Sequence, residues 1–135
     1  MKKAIIAFVS IVVLLFVMGT DLFVNPFTAW IEKNKEKTYA AKMQYFMGGY
    51  LYMVAQRQGR AVEIYRKAFQ LFPGYHDEGE AHYRIGLYYE GQKDYPKATT
   101  EYQLILEKWP NMGEKLGLNQ RIARFKAYSG EAGNP

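Results

Sequence analysis

The chain has 135 residues, of which 49% are apolar and 16% aromatic, and a formal net charge of +5. Residues 4–20 carry no charge and join Leu22 to Val24 in an apolar block about one bilayer thick, which leaves about 110 residues for one small domain. With no cysteine and only two histidines, the composition excludes disulfides, Cys-ligated zinc or iron-sulfur sites, thiol nucleophiles, thioether-linked haem and lipoprotein acylation.

The first predicted element is a transmembrane signal-anchor over residues 1–24, with residues 4–24 in the lipid bilayer. Lys2 and Lys3 precede the apolar block, and the flank after it is nearly balanced in charge, which places the N-terminus in the cytoplasm and the remainder across the membrane. A cleaved signal peptide is the competing reading. Its cut site would be Val17-Met18-Gly19, which lacks the A-x-A pattern, and the apolar run has the length of a span. Phe23, Phe27 and Trp30 follow at interfacial positions.

Asn25-Pro26 reads as a helix start, with Asn as the cap and Pro in the first turn. From Phe27 there is no Gly before Gly48 and no Pro before Pro73. This predicts a long helix, or two nearly continuous ones, in which residues 25–41 form a helical stalk with a polar, charge-mixed stretch, EKNKEKTYAAK.

Sliding the chain against itself by 37 residues aligns Gly49 with Gly86, Tyr52 with Tyr89, Ala61 with Ala98, Tyr65 with Tyr102 and Pro73 with Pro110. Phe46 and Tyr83, and Phe72 and Trp109, pair conservatively at the same offset. Small and aromatic residues at these spacings describe a pair of short packed helices, used twice: the small residue admits a neighbouring backbone and the Tyr fills the gap one turn on.

His82-x2-Ile85-Gly86-x2-Tyr89, Ala98-x3-Tyr102 and Pro110 resemble the tetratricopeptide repeat, W-x2-L-G-x2-Y, A-x3-F, P. The other copy offers Tyr45-x2-Gly48-Gly49-x2-Tyr52, Ala61-x3-Tyr65-x2-Ala68 and Pro73, and departs where Gly48 stands for a large apolar residue. The long period and the aromatic before each terminal proline are similar to the variant of this repeat in bacterial cell-envelope proteins, the outer-membrane barrel-assembly lipoprotein and the Tol-system coordinator. The resemblance covers residues 42–112, as repeats 42–75 and 79–112. It implies an all-α hairpin solenoid whose first helices line a groove, here Phe46, Tyr50 and Met53, then Tyr83, Leu87 and Glu90. Those side chains suit an apolar or extended peptide; the Lys and Asn set with which chaperone-binding members hold a C-terminal carboxylate is missing.

Two repeats are few for a continuous core, so a capping helix is expected over residues 113–128, with Leu118, Ile122 and Phe125 on its apolar face. The Gly-rich residues 129–135 are expected to be disordered. His76, Asp77, Glu78, Glu80 and His82 are the one cluster of possible metal ligands, but the histidines are six apart, not four, and no metal is assigned. No phosphate loop, catalytic carboxylate pair or Ser-His-Asp pattern is visible, so neither catalytic residues nor a cofactor are assigned.

Outside residues 1–24 there are 16 basic and 12 acidic side chains, a balance of +4. Arg57, Arg60, Arg66 and Lys67 and the basic last helix could meet anionic lipid or an acidic partner; a translocated domain would not meet nucleic acid. The expectation is a single-pass inner-membrane protein whose extracytoplasmic repeats hold a protein partner. A permanent accessory subunit of a respiratory, photosynthetic, secretion or pilus complex is the alternative, and an envelope enzyme the remote one.

Overall fold

The structure, a computed structural model, describes residues 2–128; the expected disordered tail, 129–135, lies outside the described residues. Those residues form eight α-helices and no strand. Where length argued for one domain, the contacts divide the chain into two compact units, Met1–Tyr75 and His76–Pro135.

The first unit holds α1 (Lys2–Met18), α2 (Asp21–Lys33), α3 (Ala40–Met53) and α4 (Gln58–Leu71). The predicted span over residues 1–24 is not one helix: it breaks at Gly19-Thr20, and the two helices are bent by 65°. No single helix among the described residues is long and apolar enough to cross a membrane, whereas α1 and α2 meet that requirement together. Asn25-Pro26 is not a helix start either. Helix α2 begins at Asp21, whose charge favours a first turn, and Pro26 lies inside it. The residues expected to be a helical stalk, 25–41, instead comprise the rest of α2, a turn over 34–39 and the start of α3. One face of α2, Val24, Thr28 and Ile31, is buried, and α2 packs on α3. The spacing of four and three residues between these positions puts them on one stripe.

Helices α3 and α4 form a hairpin, and so do α5 (Glu78–Gly91) and α6 (Tyr95–Lys108) in the second unit. In each, a helix glycine faces a tyrosine ring. A Cβ on Gly48 would lie 2.5 Å from Tyr65 Cε1, and one on Gly86 would lie 2.2 Å from Tyr102 Cε1. Ala61 and Ala98, one turn before the tyrosines, are fully buried. The glycine equivalent to Gly86 is therefore Gly48 and not Gly49, which is only half-buried.

The register of the first helices thus differs by 38 residues and that of the second helices by 37. The extra residue lies in the hairpin turn. In the second hairpin Asp94 N–H bonds the Tyr89 carbonyl five residues back; in the first, Arg57 N–H bonds the Leu51 carbonyl six back. Gln56 and Lys93 hold matching left-handed positions, at φ 56° and 58°. With this correction Tyr89 corresponds to Leu51 and not to Tyr52. Buried Met47 corresponds to buried Ile85, so the large apolar position that Gly48 seemed to lack is filled one residue earlier.

After α6 the second unit adds α7 (Pro110–Lys115) and α8 (Leu118–Tyr128). The cap predicted as one helix over 113–128 is two, separated at Leu116-Gly117, where Gly117 adopts φ 64°. Pro73 and Pro110 each follow the C-cap of a hairpin's second helix, Phe72 and Trp109; Pro73 is exposed in a turn, whereas Pro110 also opens α7 at a position that needs no N–H. Leu118, Ile122 and Phe125 of α8 are buried with Ala98, Tyr102 and Ile105 of α6 in one core.

Two measurements test this account. Gly86→Ala forces a methyl group into the Tyr102 ring and should cost about 1–3 kcal/mol in urea unfolding, whereas Gly91→Ala, which meets nothing within 4 Å, should not destabilise. Asp94 caps α6, and its hydrogen bond from the Lys97 ammonium, with a further one from Lys97 N–H, holds its carboxyl below the usual carboxylate range. A lowered folded-state pKa means this stabilisation is complete at neutral pH and is lost as pH falls below about 4. Asp94→Asn keeps a capping acceptor but cannot titrate. Its unfolding free energy should fall less between about pH 7 and pH 3 than that of the wild type.

Candidate functional site

Helix α1 has no buried residue, and eleven of its large apolar side chains, from Ile5 to Val17, are exposed. Its last turn leaves carbonyl groups without helical partners, as every helix end does. Here they are met from two sides. Gly19 N–H and Thr20 N–H return to the Phe16 and Val17 carbonyls, and the Thr20 hydroxyl donates to Val17 O at 2.7 Å. From α3, the Tyr50 hydroxyl donates to the Leu15 carbonyl.

Arg57, at the start of α4, closes the elbow between α1 and α2. Its guanidinium donates to Gly19 O at 2.5 Å and to the Asp21 carboxylate at 2.8 Å. Arg60 reaches the other Asp21 oxygen at 3.2 Å and also donates to Asn25 Oδ1, and Lys67 pairs with Glu32 at 2.7 Å. One flank of α2 is therefore tied to α4 by ion pairs at positions 21 and 32 and a hydrogen bond at position 25. Gly19 is required at the bend, since a Cβ there would stand 2.9 Å from Ala55 Cβ. A cleft of about 500 Å³ opens beside it, lined by Leu15, Phe16, Tyr50 and Val54 and by the charged pair Asp21 and Arg57.

The expected groove residues divide by environment. In the first unit Phe46 and Met53 are exposed, at 63% and 62%, but Tyr50 is only 7% exposed and is committed to α1. Burial raises the Tyr50 pKa, so its hydroxyl stays a donor at neutral pH. In the second unit Tyr83, Leu87 and Glu90 are half-buried. Glu90 is not a free contact residue: it accepts from the Tyr102 hydroxyl at 2.7 Å and from Arg121 of α8 at 2.9 Å. Burial, and then Glu90, push the Tyr102 pKa upward, which keeps this phenol protonated.

Of the cluster considered for metal, His76 is exposed and pairs with Asp77 at 3.3 Å. His82 is buried; its Nδ1 lies 2.6 Å from Glu101 and its Nε2 3.8 Å from Glu78. Among the described residues no group of three or more His, Asp or Glu side chains could hold a metal ion. Sequence reading missed Glu101, Arg57 and Asp21 as partners because each pairs across 19 or more residues, where spacing along one helix gives no signal.

In comparisons with known proteins, no family model, no curated protein and no solved structure matches the chain.

Arg57→Ala should loosen the elbow by about 1 kcal/mol, which is roughly fivefold faster amide exchange over residues 19–24. Hydrogen exchange read by mass spectrometry measures this, with α6 as the segment expected not to change.

Proposed function

We propose that the protein is a membrane-anchored scaffold whose helical hairpins hold a protein partner outside the cytoplasm. The observation that carries the reading is α1, a helix of 17 residues with no buried side chain and an apolar surface on every side. Leaving eleven such side chains in water would forgo on the order of 10 kcal/mol or more, and a bilayer removes that penalty. Lys2 and Lys3 at its start favour a cytoplasmic N-terminus.

The hairpins support the second half of the reading. With the glycine register corrected, Met47-Gly48 and Ile85-Gly86 occupy the large-small pair of the tetratricopeptide pattern, followed by Ala61 and Tyr65, and Ala98 and Tyr102. We therefore read them as two such repeats, and Phe46 and Met53, exposed on the first helix of the first, as the partner-contacting side chains. Membrane attachment raises the effective concentration of such a surface toward partners in the same bilayer. No catalytic role is assigned to any residue.

Two experiments test the proposal. The protein should remain in the pellet after alkaline carbonate extraction, and deletion of residues 2–18 should release it. Photo-crosslinkers at positions 46 and 53 should capture a membrane protein, while a crosslinker at position 50 should capture only this chain. Release of the intact protein by carbonate, or crosslinking equal at all three positions, would overturn the respective half. Mass spectrometry of the complex extracted in mild detergent then separates a permanent subunit, with a stoichiometric partner, from a transient adaptor.

A further inference from the structure

Outside its buried stripe and its flank toward α4, α2 presents a third, apolar face. Its buried stripe is Val24, Thr28 and Ile31, and its ion-paired flank is Asp21, Asn25 and Glu32. At 100° per residue, what remains from Leu22 to Trp30 is a continuous arc of Leu22, Pro26 and Ala29, then Phe23, Phe27 and Trp30. No charged residue between Leu22 and Trp30 lies in it; Lys33, the last residue of α2, projects into the same sector one turn further on. Leu22 is 83% exposed and Trp30 43%, Phe23 and Phe27 are half-buried, and the rings form a ladder: Phe23 to Phe27 at 5.7 Å, Phe27 to Trp30 at 6.5 Å and Trp30 to Tyr39 at 6.0 Å between centroids.

We propose that α2 lies obliquely in the outer interface of the bilayer, with this aromatic arc toward lipid, so that the span is completed by the elbow and not by a longer helix. The inference rests on the anchor reading of α1. Three observations favour lipid over a protein partner. First, the arc is continuous with the exposed apolar surface of α1 across a two-residue break. Second, α1 is about 25 Å long, short of a hydrocarbon core of about 30 Å. At a bend of 65° from α1 along the membrane normal, Leu22 to Trp30 advances about 5 Å further. Third, the ladder consists of residue types that favour the headgroup boundary, and the first charges beyond it, Glu32 and Lys33, follow within one turn. Asp21, at the start of α2, is matched by Arg57 and Arg60, and Arg60 also pairs with Glu63 of α4.

The test uses the full chain with Trp109→Phe, which leaves Trp30 as the only tryptophan, reconstituted in vesicles of phosphatidylcholine and phosphatidylglycerol. The expected result is co-flotation with the vesicles and loss of Trp30 emission. That loss should be greater with bromines near the glycerol end of the acyl chains than near their methyl end, and Trp30 should be shielded from aqueous iodide. If the protein floats but iodide still quenches Trp30, the arc faces water and the inference is overturned while the anchor stands. If the protein floats and neither brominated lipid nor iodide quenches Trp30, protein covers the arc and the inference is likewise overturned. If the protein does not float, the anchor reading falls with it. The difference between wild type and Trp30→Phe gives the same signal should Trp109→Phe fail to fold.

Discussion

A missing methyl group sets the geometry of both hairpins. Gly48 and Gly86 allow the Tyr65 and Tyr102 rings to lie where any other side chain would begin, within 2.5 Å of an added Cβ. The ring fills the space between helices that the glycine opens, and Ala61 and Ala98 let the backbones remain close one turn earlier. Each hairpin is thus closed by one knob in one hole. Polar additions then differ between the copies. Where Gln44 donates to the Ile64 carbonyl in the first, His82 and Glu101 face each other in the second.

Hairpins of about 20 Å are short structures with open ends, and the two units close those ends differently. In the first, α2 supplies Val24, Thr28 and Ile31 and is tied along its flank by Arg57, Arg60 and Lys67. In the second, α8 supplies Leu118, Ile122 and Phe125, and Arg121 joins it to Glu90. The same closure in the first unit also positions α1. Tyr50 and Arg57 come from the hairpin, yet their donors go to the carbonyls of Leu15 and Gly19. The hairpin thus holds the end of α1 at two carbonyl groups, the point where the proposed anchor joins the scaffold.

Much of this was legible as pattern. Apolar runs, helix periodicity and the pairing of Ala61 with Ala98 and Tyr65 with Tyr102 depend on local spacing, which a helix converts directly into a shared face. Gly49 was misread because a gapless comparison cannot register one added residue in the turn before Arg57, and the adjacent Gly48 made the error invisible. Asn25-Pro26 misled for a related reason. Both residues favour helix starts, but Asp21 already served a first turn, and the packing of Val24 together with the ion pairs of Asp21 holds the helix through the proline. Tyr50 and Glu90 fell on the expected outer face of their helices; the partners that occupy them, Leu15 and Arg121, lie 35 and 31 residues away.

Composition and spacing along the chain are enough to make it helical, to place an apolar helix at its start and to repeat one hairpin design. These follow from composition and short-range periodicity, which need no knowledge of what meets what. The bend of the apolar block at Gly19, the packing of α2 on a hairpin and the choice of side chains left exposed come from tertiary packing. A bend, an ion pair or a free face depends on groups that meet only when distant segments pack.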